Sequence, residues 1–134
     1  NEKPARVGME RCRWEWPFRS ILDSGATLAF GTDFPVVKYN QLPGICAAVT
    51  RKNYDGSPAG ADNNENITLE EALTANTLGS ARVYGCEHEL GTLEAGKLAD
   101  VIVLDRDLFA ISADEIKDAK VILTIMDGQV TFER

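Results

Sequence analysis

The stretch Thr27-Leu28-Ala29-Phe30-Gly31-Thr32-Asp33-Phe34-Pro35 decides how the rest of the chain is interpreted. Residues 27–31 show no polar alternation, which predicts a strand covered on both faces, as in a parallel sheet. Pro35 then ends any strand, because proline has no N–H for a ladder. In α/β folds the chemistry lies at the carboxyl ends of such strands. Asp33 is therefore the candidate functional residue, although a carboxylate that merely caps a turn explains the same letters.

Helices are predicted before and after this strand. Apolar residues at 18, 21 and 22, between Pro17 and Gly25, predict a helix over about 17–24. Pro43 is placed to open a second helix that runs to about Lys52. A helix, a glycine and then a buried strand make one αβ unit, so the first half of the chain is predicted to be of the α/β class.

The middle of the chain is predicted to be a loop followed by two helices. Residues 53–66 are polar and rich in glycine, proline and asparagine, which predicts a surface loop. Thr68-Leu69-Glu70-Glu71 has the pattern of a capping box and predicts a helix that begins there. A second short helix is predicted over residues 78–84, with Gly85 as its left-handed cap.

After Gly85 the sequence predicts short strands and tight turns. The dipeptide Asp127-Gly128 is a typical two-residue hairpin turn, and a capped helical turn is predicted at residues 112–115. Strands are predicted at residues 90–93, 100–105, 121–126 and 129–133. Residues 86–134 are therefore expected to form a small antiparallel β element, joined to the αβ piece of residues 1–85.

Composition and charge exclude several classes of function. The chain has 134 residues and a net charge of −7, which argues against a nucleic acid partner. The apolar runs fall far short of the roughly 20 residues of a membrane helix. Cys12, Cys46 and Cys86 are widely spaced and form no C-x-x-C pair, and we see no signal peptide. Free thiols in a reducing compartment, and hence a cytoplasmic location, are expected.

The sequence Leu22-Asp23-Ser24-Gly25-Ala26-Thr27 resembles the Asp-Ser-Gly loop of retroviral-type aspartic proteases. Those enzymes place one such aspartate from each of two subunits side by side, so that two carboxylates share a proton. A dimeric protease that uses Asp23 is therefore one alternative. The helical spacing of residues 17–22 and the helices predicted over 68–84 argue against it, because that family is nearly all β.

Several stretches taken together carry a second resemblance, which covers nearly the whole chain. They are Gly31-Thr32-Asp33-Phe34-Pro35-Val36, Gly91-Thr92-Leu93-Glu94-Ala95-Gly96-Lys97 continuing to Asp105, and residues 17–25, 48–51, 67–73 and 121–128. In order and spacing they resemble the C-terminal part of the metal-dependent amidohydrolases. The matching branch contains the N-substituted formamide deformylases and the relatives known as exoenzyme regulatory proteins.

This resemblance implies a fold and a site. Residues 1–85 would supply the last strand and helices of a TIM-like (β/α)8 barrel, and residues 86–134 the C-terminal strands of a small β-sandwich. Thr27–Phe30 would be the eighth barrel strand. Asp33 would be a metal ligand, with zinc as the expected divalent metal, and the proton acceptor for metal-bound water. Arg51 matches a substrate-binding position, although an exposed cation at a helix end explains it equally well.

The resemblance also implies that the chain is a fragment. A complete barrel needs about 250 residues, and the family's histidine ligands would lie before Asn1. The expected parent hydrolyses C–N bonds in a small-molecule amide or formamide, whereas the fragment alone is expected to be inactive and to bind no metal tightly. Strand exchange, a homo-oligomer or a rearranged sheet is expected, because strand 27–31 would lack its neighbours. The alternative is a non-catalytic regulatory or assembly module in which Asp33 is structural.

Overall fold

The computed structural model describes residues 3–58 and 64–134. Short helices come first and a three-stranded sheet comes last. The helices are α1 (Lys3–Val7), α2 (Met9–Cys12), α3 (Phe18–Asp23), α4 (Leu42–Thr50), α5 (Leu69–Thr74) and α6 (Ser80–Tyr84), with a π-helical turn over Ala75–Gly79 and a 3-10 helix over Ala113–Asp118. The strands are β1 (Val101–Leu104), β2 (Val121–Met126) and β3 (Gln129–Glu133). Of the predicted loop over 53–66, residues 59–63 lie outside the described residues.

The helix ends follow the local sequence signals, and the predicted helices are confirmed. Thr68 and Glu71 form the predicted capping box at the start of α5: the Glu71 N–H donates to the Thr68 hydroxyl at 3.2 Å, and the Thr68 N–H donates to the Glu71 carboxylate at 2.8 Å. Gly85 ends α6 with a left-handed φ of 70°. The π-helical turn joins α5 to α6, so residues 69–84 form one continuous helical run rather than two separate helices.

The strand predicted over residues 27–31 is not formed. Its backbone bonds to the helical run instead: the Phe30 N–H donates to the Ala75 carbonyl at 3.0 Å, and the Ser80 hydroxyl donates to the Phe30 carbonyl at 2.9 Å. Leu28 and Phe30 are half-buried and face the core. A strand needs a paired neighbour, and in the described part of the chain this stretch has none.

The strand predicted at residues 90–93 is also wrong. The Leu90 N–H bonds back to the Cys86 carbonyl at 2.9 Å, and Gly91 takes a left-handed φ of 91°. Such a conformation breaks the extended backbone that a ladder requires. The remaining strands are confirmed as an antiparallel sheet in the order β1-β2-β3, and Asp127 and Gly128 form the turn between β2 and β3.

The core lies between α4, α5 and the 3-10 helix. Ile116 of the 3-10 helix is 1% exposed, and the Cys46 thiol of α4 donates to the Ala113 carbonyl at 3.3 Å. The buried cluster contains Leu42, Ile45, Cys46, Ala48, Ile67, Ala72, Leu108, Ile116 and Ala119. Residues from both predicted units thus share one core. The division at residues 85 and 86 remains a prediction.

Three further findings bear on the class of protein. Cys12, Cys46 and Cys86 are free thiols, as predicted. No helix within residues 3–58 and 64–134 is both long and apolar enough to cross a bilayer. The sheet exposes apolar side chains on both faces: Ile102 and Val103 are neighbours on β1, point to opposite sides and are both exposed.

Candidate functional site

Asp33 lies at the end of the extended segment and is exposed. Its backbone has a left-handed φ of 51°, and its carbonyl accepts the Val36 N–H at 2.9 Å, which closes a turn. A non-glycine residue at positive φ is uncommon, although aspartate tolerates it better than most. In residues 3–58 and 64–134 the Asp33 carboxylate makes no hydrogen bond or ion pair. The backbone of Asp33 therefore makes the turn, and its carboxylate is directed to no internal partner.

Contacts with two helical elements hold the segment that ends at Asp33. The Phe30 ring packs against the Phe18 ring of α3, with centroids 4.9 Å apart. On the other side, Gly79 of the π-helical turn lies against the Leu28 carbonyl so closely that no side chain fits between them. Together with the bonds to Ala75 and Ser80, these contacts fix the direction in which the backbone reaches Asp33.

Arg51 is turned toward its own chain. It follows α4 with a left-handed φ of 57°, and its N–H donates to the Ala47 carbonyl at 2.8 Å. Its guanidinium donates to the carbonyls of Glu15 at 3.0 Å and Trp16 at 3.4 Å. Burial lowers the pKa of Arg51 from its ordinary value. Arg51 is therefore half-buried rather than a freely exposed cation, and its substrate-binding role remains a prediction.

The sequence analysis missed Glu65, a buried carboxylate. Only 7% of Glu65 is exposed. Its carboxylate accepts the Ser20 N–H at 2.8 Å and the Ser20 hydroxyl at 2.5 Å. These hydrogen bonds from Ser20 lower the pKa of Glu65. No local pattern marks this residue, because Ser20 lies 45 positions away and Glu65 stands in a stretch that otherwise predicts a surface loop.

The position of Asp23 in the fold contradicts the aspartic-protease alternative. It is the last residue of α3, and its carboxylate accepts a hydrogen bond from Arg19 at 3.3 Å. The Asp-Ser-Gly sequence thus lies at a helix C-terminus, and Gly25 has a left-handed φ of 82° there. The protease loop needs a strand on each side, so this alternative is wrong.

A cleft of about 600 Å³ opens beside the candidate carboxylate, and we call it the Thr32 cleft. Gly31 and Thr32, the two residues before Asp33, form one wall. The cleft is lined by Gly31, Thr32, Val37, Lys38, Asn40, Gln41, Pro43, Gly44, Tyr54 and Lys117. Its lining comes from the end of the extended segment, the loop before α4, the start of α4, Tyr54 after α4 and the 3-10 helix.

Asp33 was predicted to bind a metal ion, and a metal centre needs further ligands near it. Within the described ranges, no group of three or more histidine, cysteine, aspartate or glutamate side chains is arranged to hold a metal ion. A catalytic zinc ion usually has three protein ligands. The described residues by themselves therefore do not form such a centre.

The described residues form a helical body with an exposed carboxylate at the end of an extended segment, followed by a small antiparallel sheet. The model of the amidohydrolase family matches residues 4–132, and the chain therefore belongs to that family.

Individual relatives agree with this assignment. The chain is 35% identical over 119 residues to N-substituted formamide deformylase of Arthrobacter pascens, covering 89% of this chain and 22% of that protein. It is 31% identical over 131 residues to 5-methylthioadenosine/S-adenosylhomocysteine deaminase of Symbiobacterium thermophilum, covering 87% of this chain and 28% of that protein.

A solved structure is similar as well. An uncharacterized metal-dependent hydrolase from Pyrococcus furiosus superposes with a TM-score of 0.65 and 38% identity, covering 79% of this chain and 21% of that one. The chain thus spans between a fifth and three tenths of the length of these three proteins.

Proposed function

We propose that this chain is the C-terminal part of a metal-dependent hydrolase that acts on C–N bonds of a small-molecule amide or formamide. The observation that carries this proposal is the exposed Asp33 carboxylate at the end of a segment fixed on two sides. Two relatives of the chain, a formamide deformylase and a deaminase, are named for reactions at C–N bonds.

The donor chemistry of Asp33 fits one ligand of a divalent metal. Carboxylate oxygens are good ligands for such ions, and this carboxylate has no internal partner in the described part of the chain. A single exposed carboxylate does not hold a metal tightly, so the other ligands must come from elsewhere in the parent. A divalent metal, which we propose to be zinc, would supply an activated water by lowering its pKa to about 7.

Within such a site, an Asp33 carboxylate oxygen would accept the proton of the attacking water. It would then deliver that proton to the nitrogen of the leaving amine, which must be protonated to depart. One carboxylate can perform both transfers because it regains its negative charge when it gives up the proton in the second step. The contacts of Phe30 with Ala75 and Ser80 would hold this group in position between the two transfers.

The finer architecture is part of the same proposal. We propose that residues 1–85 complete a TIM-like barrel and that residues 86–134 complete a β-sandwich. In the described chain residues 27–31 have no strand beside them, and apolar side chains such as Ile102 and Val103 are exposed on opposite faces of the sheet; both observations support this arrangement. A cytoplasmic location is supported by the three free cysteines.

The test is an assay of the full-length parent, loaded with zinc or manganese, against a panel of formamides and other amides. Asp33→Asn keeps the size of the side chain but cannot accept the proton at neutral pH. We expect turnover to fall by at least about a hundredfold, the usual scale for removing a general base.

Asp23→Asn is the matched control. It makes the same change of atoms on another exposed aspartate, at the end of α3, and it is expected to keep turnover within about twofold of the wild-type value. If Asp33→Asn is as active as Asp23→Asn, Asp33 is structural and the non-catalytic module becomes the better interpretation. An inactive parent across the whole panel would also count against C–N hydrolysis.

A further inference from the structure

We infer that the Thr32 cleft is a subsite for a carboxylate group, so that the substrate of the parent is an anionic amide such as an N-acyl amino acid. This substrate class rests on the proposed C–N hydrolysis, but the binding of an anion in the cleft does not.

The charge of the cleft is opposite to that of the chain. Lys38 and Lys117 are the two charged residues in its lining, and no aspartate or glutamate is among the lining residues. The chain as a whole has 21 acidic and 14 basic residues. A concave surface lined by charges of one sign attracts ligands of the opposite sign. The cleft therefore favours an anion although the chain itself is acidic.

Lys117 is held in place by two neutral groups of Tyr54. Its ammonium group donates to the Tyr54 carbonyl at 2.7 Å and lies 5.0 Å from the centroid of the Tyr54 ring. An ammonium group has three donors, so this bond leaves donors for a ligand. Asp55 is close enough to feel the charge of Lys117. The Asp55 carboxylate also binds Ser57: one of its oxygens accepts both the Ser57 N–H at 2.9 Å and the Ser57 hydroxyl at 2.6 Å.

Asn40 adds a neutral donor to the same wall. Its side-chain oxygen accepts the Leu42 N–H at 3.1 Å. Because that oxygen is engaged, the NH₂ group is the part of the side chain left to bind a ligand. Two lysine ammonium groups and an amide NH₂ are the donors that a carboxylate accepts from.

The position of the cleft connects it with the candidate catalytic carboxylate. Thr32 lines the cleft and Asp33 follows it, and successive Cα atoms are about 3.8 Å apart. A small molecule whose carboxylate occupies the cleft can therefore place a bond a few atoms away beside Asp33. A neutral formamide would leave the two lysines without a counter-charge, whereas an N-acyl amino acid would provide one.

The experiment is a titration of the ¹⁵N-labelled chain with N-acetylglycine and, separately, with the neutral N-acetylglycinamide, followed by amide chemical shifts at low ionic strength. We expect N-acetylglycine to shift the amides of Gly31, Thr32 and Gly44 and to bind at least about fivefold more tightly than the amide. That is the scale of one partly exposed ion pair. Lys38→Gln and Lys117→Gln are each expected to weaken its binding by about threefold or more.

Lys120→Gln is the matched control, because it removes the same charge from a lysine that does not line the cleft. Equal binding of the two probes, or equal weakening by all three substitutions, would show general attraction of anions and overturn the inference. The same titration on the full-length parent decides the matter if the chain alone does not give a folded spectrum. Since no turnover is measured, a parent without amidase activity would refute the proposed function and leave this result unaffected.

Discussion

Gly79→Ala is the substitution that tests how the segment ending at Asp33 is held. An ideal Cβ at Gly79 would overlap the Leu28 carbonyl oxygen and would lie 3.2 Å from the Leu28 carbonyl carbon and 3.3 Å from the Thr74 oxygen. Both neighbours are backbone atoms, which cannot rotate away as a side chain can. The extended segment would have to move by about 1 Å, because interiors are close-packed.

The magnitude follows from three effects. Overpacking costs about 1–3 kcal/mol. The shift would also weaken the bonds that Phe30 makes with Ala75 and Ser80, each worth about 1 kcal/mol. In the opposite direction, alanine stabilises a helical position by about 1 kcal/mol relative to glycine, because its helix propensity is higher. We therefore expect Gly79→Ala to lower the free energy of unfolding by about 2–4 kcal/mol.

Urea unfolding followed by tryptophan fluorescence measures this change. With a slope of about 1.5 kcal/mol per molar urea for a chain of this size, the midpoint should fall by about 2 M. Gly31→Ala is the matched control: it lies on the same segment, a Cβ there meets no atom within 4 Å, and the change of the unfolded state is the same. If Gly79→Ala is as stable as Gly31→Ala, or more stable, the close approach of the two backbones is refuted.

Three further outcomes are expected. Glu65→Gln should destabilise the chain at pH 7 by about 1–3 kcal/mol, because it weakens the bonds from Ser20. The pKa of Glu65 in the folded chain lies below its ordinary value of 4.5. Its contribution to the free energy of unfolding is therefore complete above about pH 4.5 and is lost as the pH falls below that value. Parallel pH–stability curves for the wild type and the variant would contradict this. Ile116→Ala should cost about 2–5 kcal/mol in urea unfolding through the cavity it leaves, whereas a cost below about 1 kcal/mol would mean that the 3-10 helix is not part of the common core. The chain alone should show no tight zinc binding in isothermal titration and should self-associate in sedimentation. A sub-micromolar 1:1 zinc complex, or a folded monomer at high concentration, would contradict the fragment interpretation.

Part of the fold could be predicted because its signals are local. The capping box of Thr68 and Glu71, the left-handed cap at Gly85 and the Asp127-Gly128 turn all involve groups within a few residues of one another. Their geometry is set by side-chain chemistry and backbone sterics alone. The family resemblance, which was confirmed, could also be predicted, because it lies in the order of several short sequence stretches along the chain.

The extended segment was predicted only in part. The residue types of 27–31 predict a strand with apolar side chains, and Leu28 and Phe30 do contact the core. Pairing, however, depends on a neighbour that residue types do not reveal, and in the described chain the Phe30 backbone bonds to Ala75 and Ser80 instead. Residue types therefore predicted that this stretch contacts the core but not which groups its backbone binds.

The sequence by itself determined the helices, the hairpin, the free thiols and the amidohydrolase family, and it indicated Asp33 as a candidate functional residue. Only the tertiary structure decided that the Asp33 carboxylate has no partner among the described residues, that Arg51 binds carbonyls of its own chain and that Glu65 is buried against Ser20. It alone also brought Lys38 and Lys117 to one cleft. The physical reason is range: caps and turns close over a few residues, whereas these hydrogen bonds and the shared cleft bring together positions 35 to 79 residues apart, which no local pattern specifies.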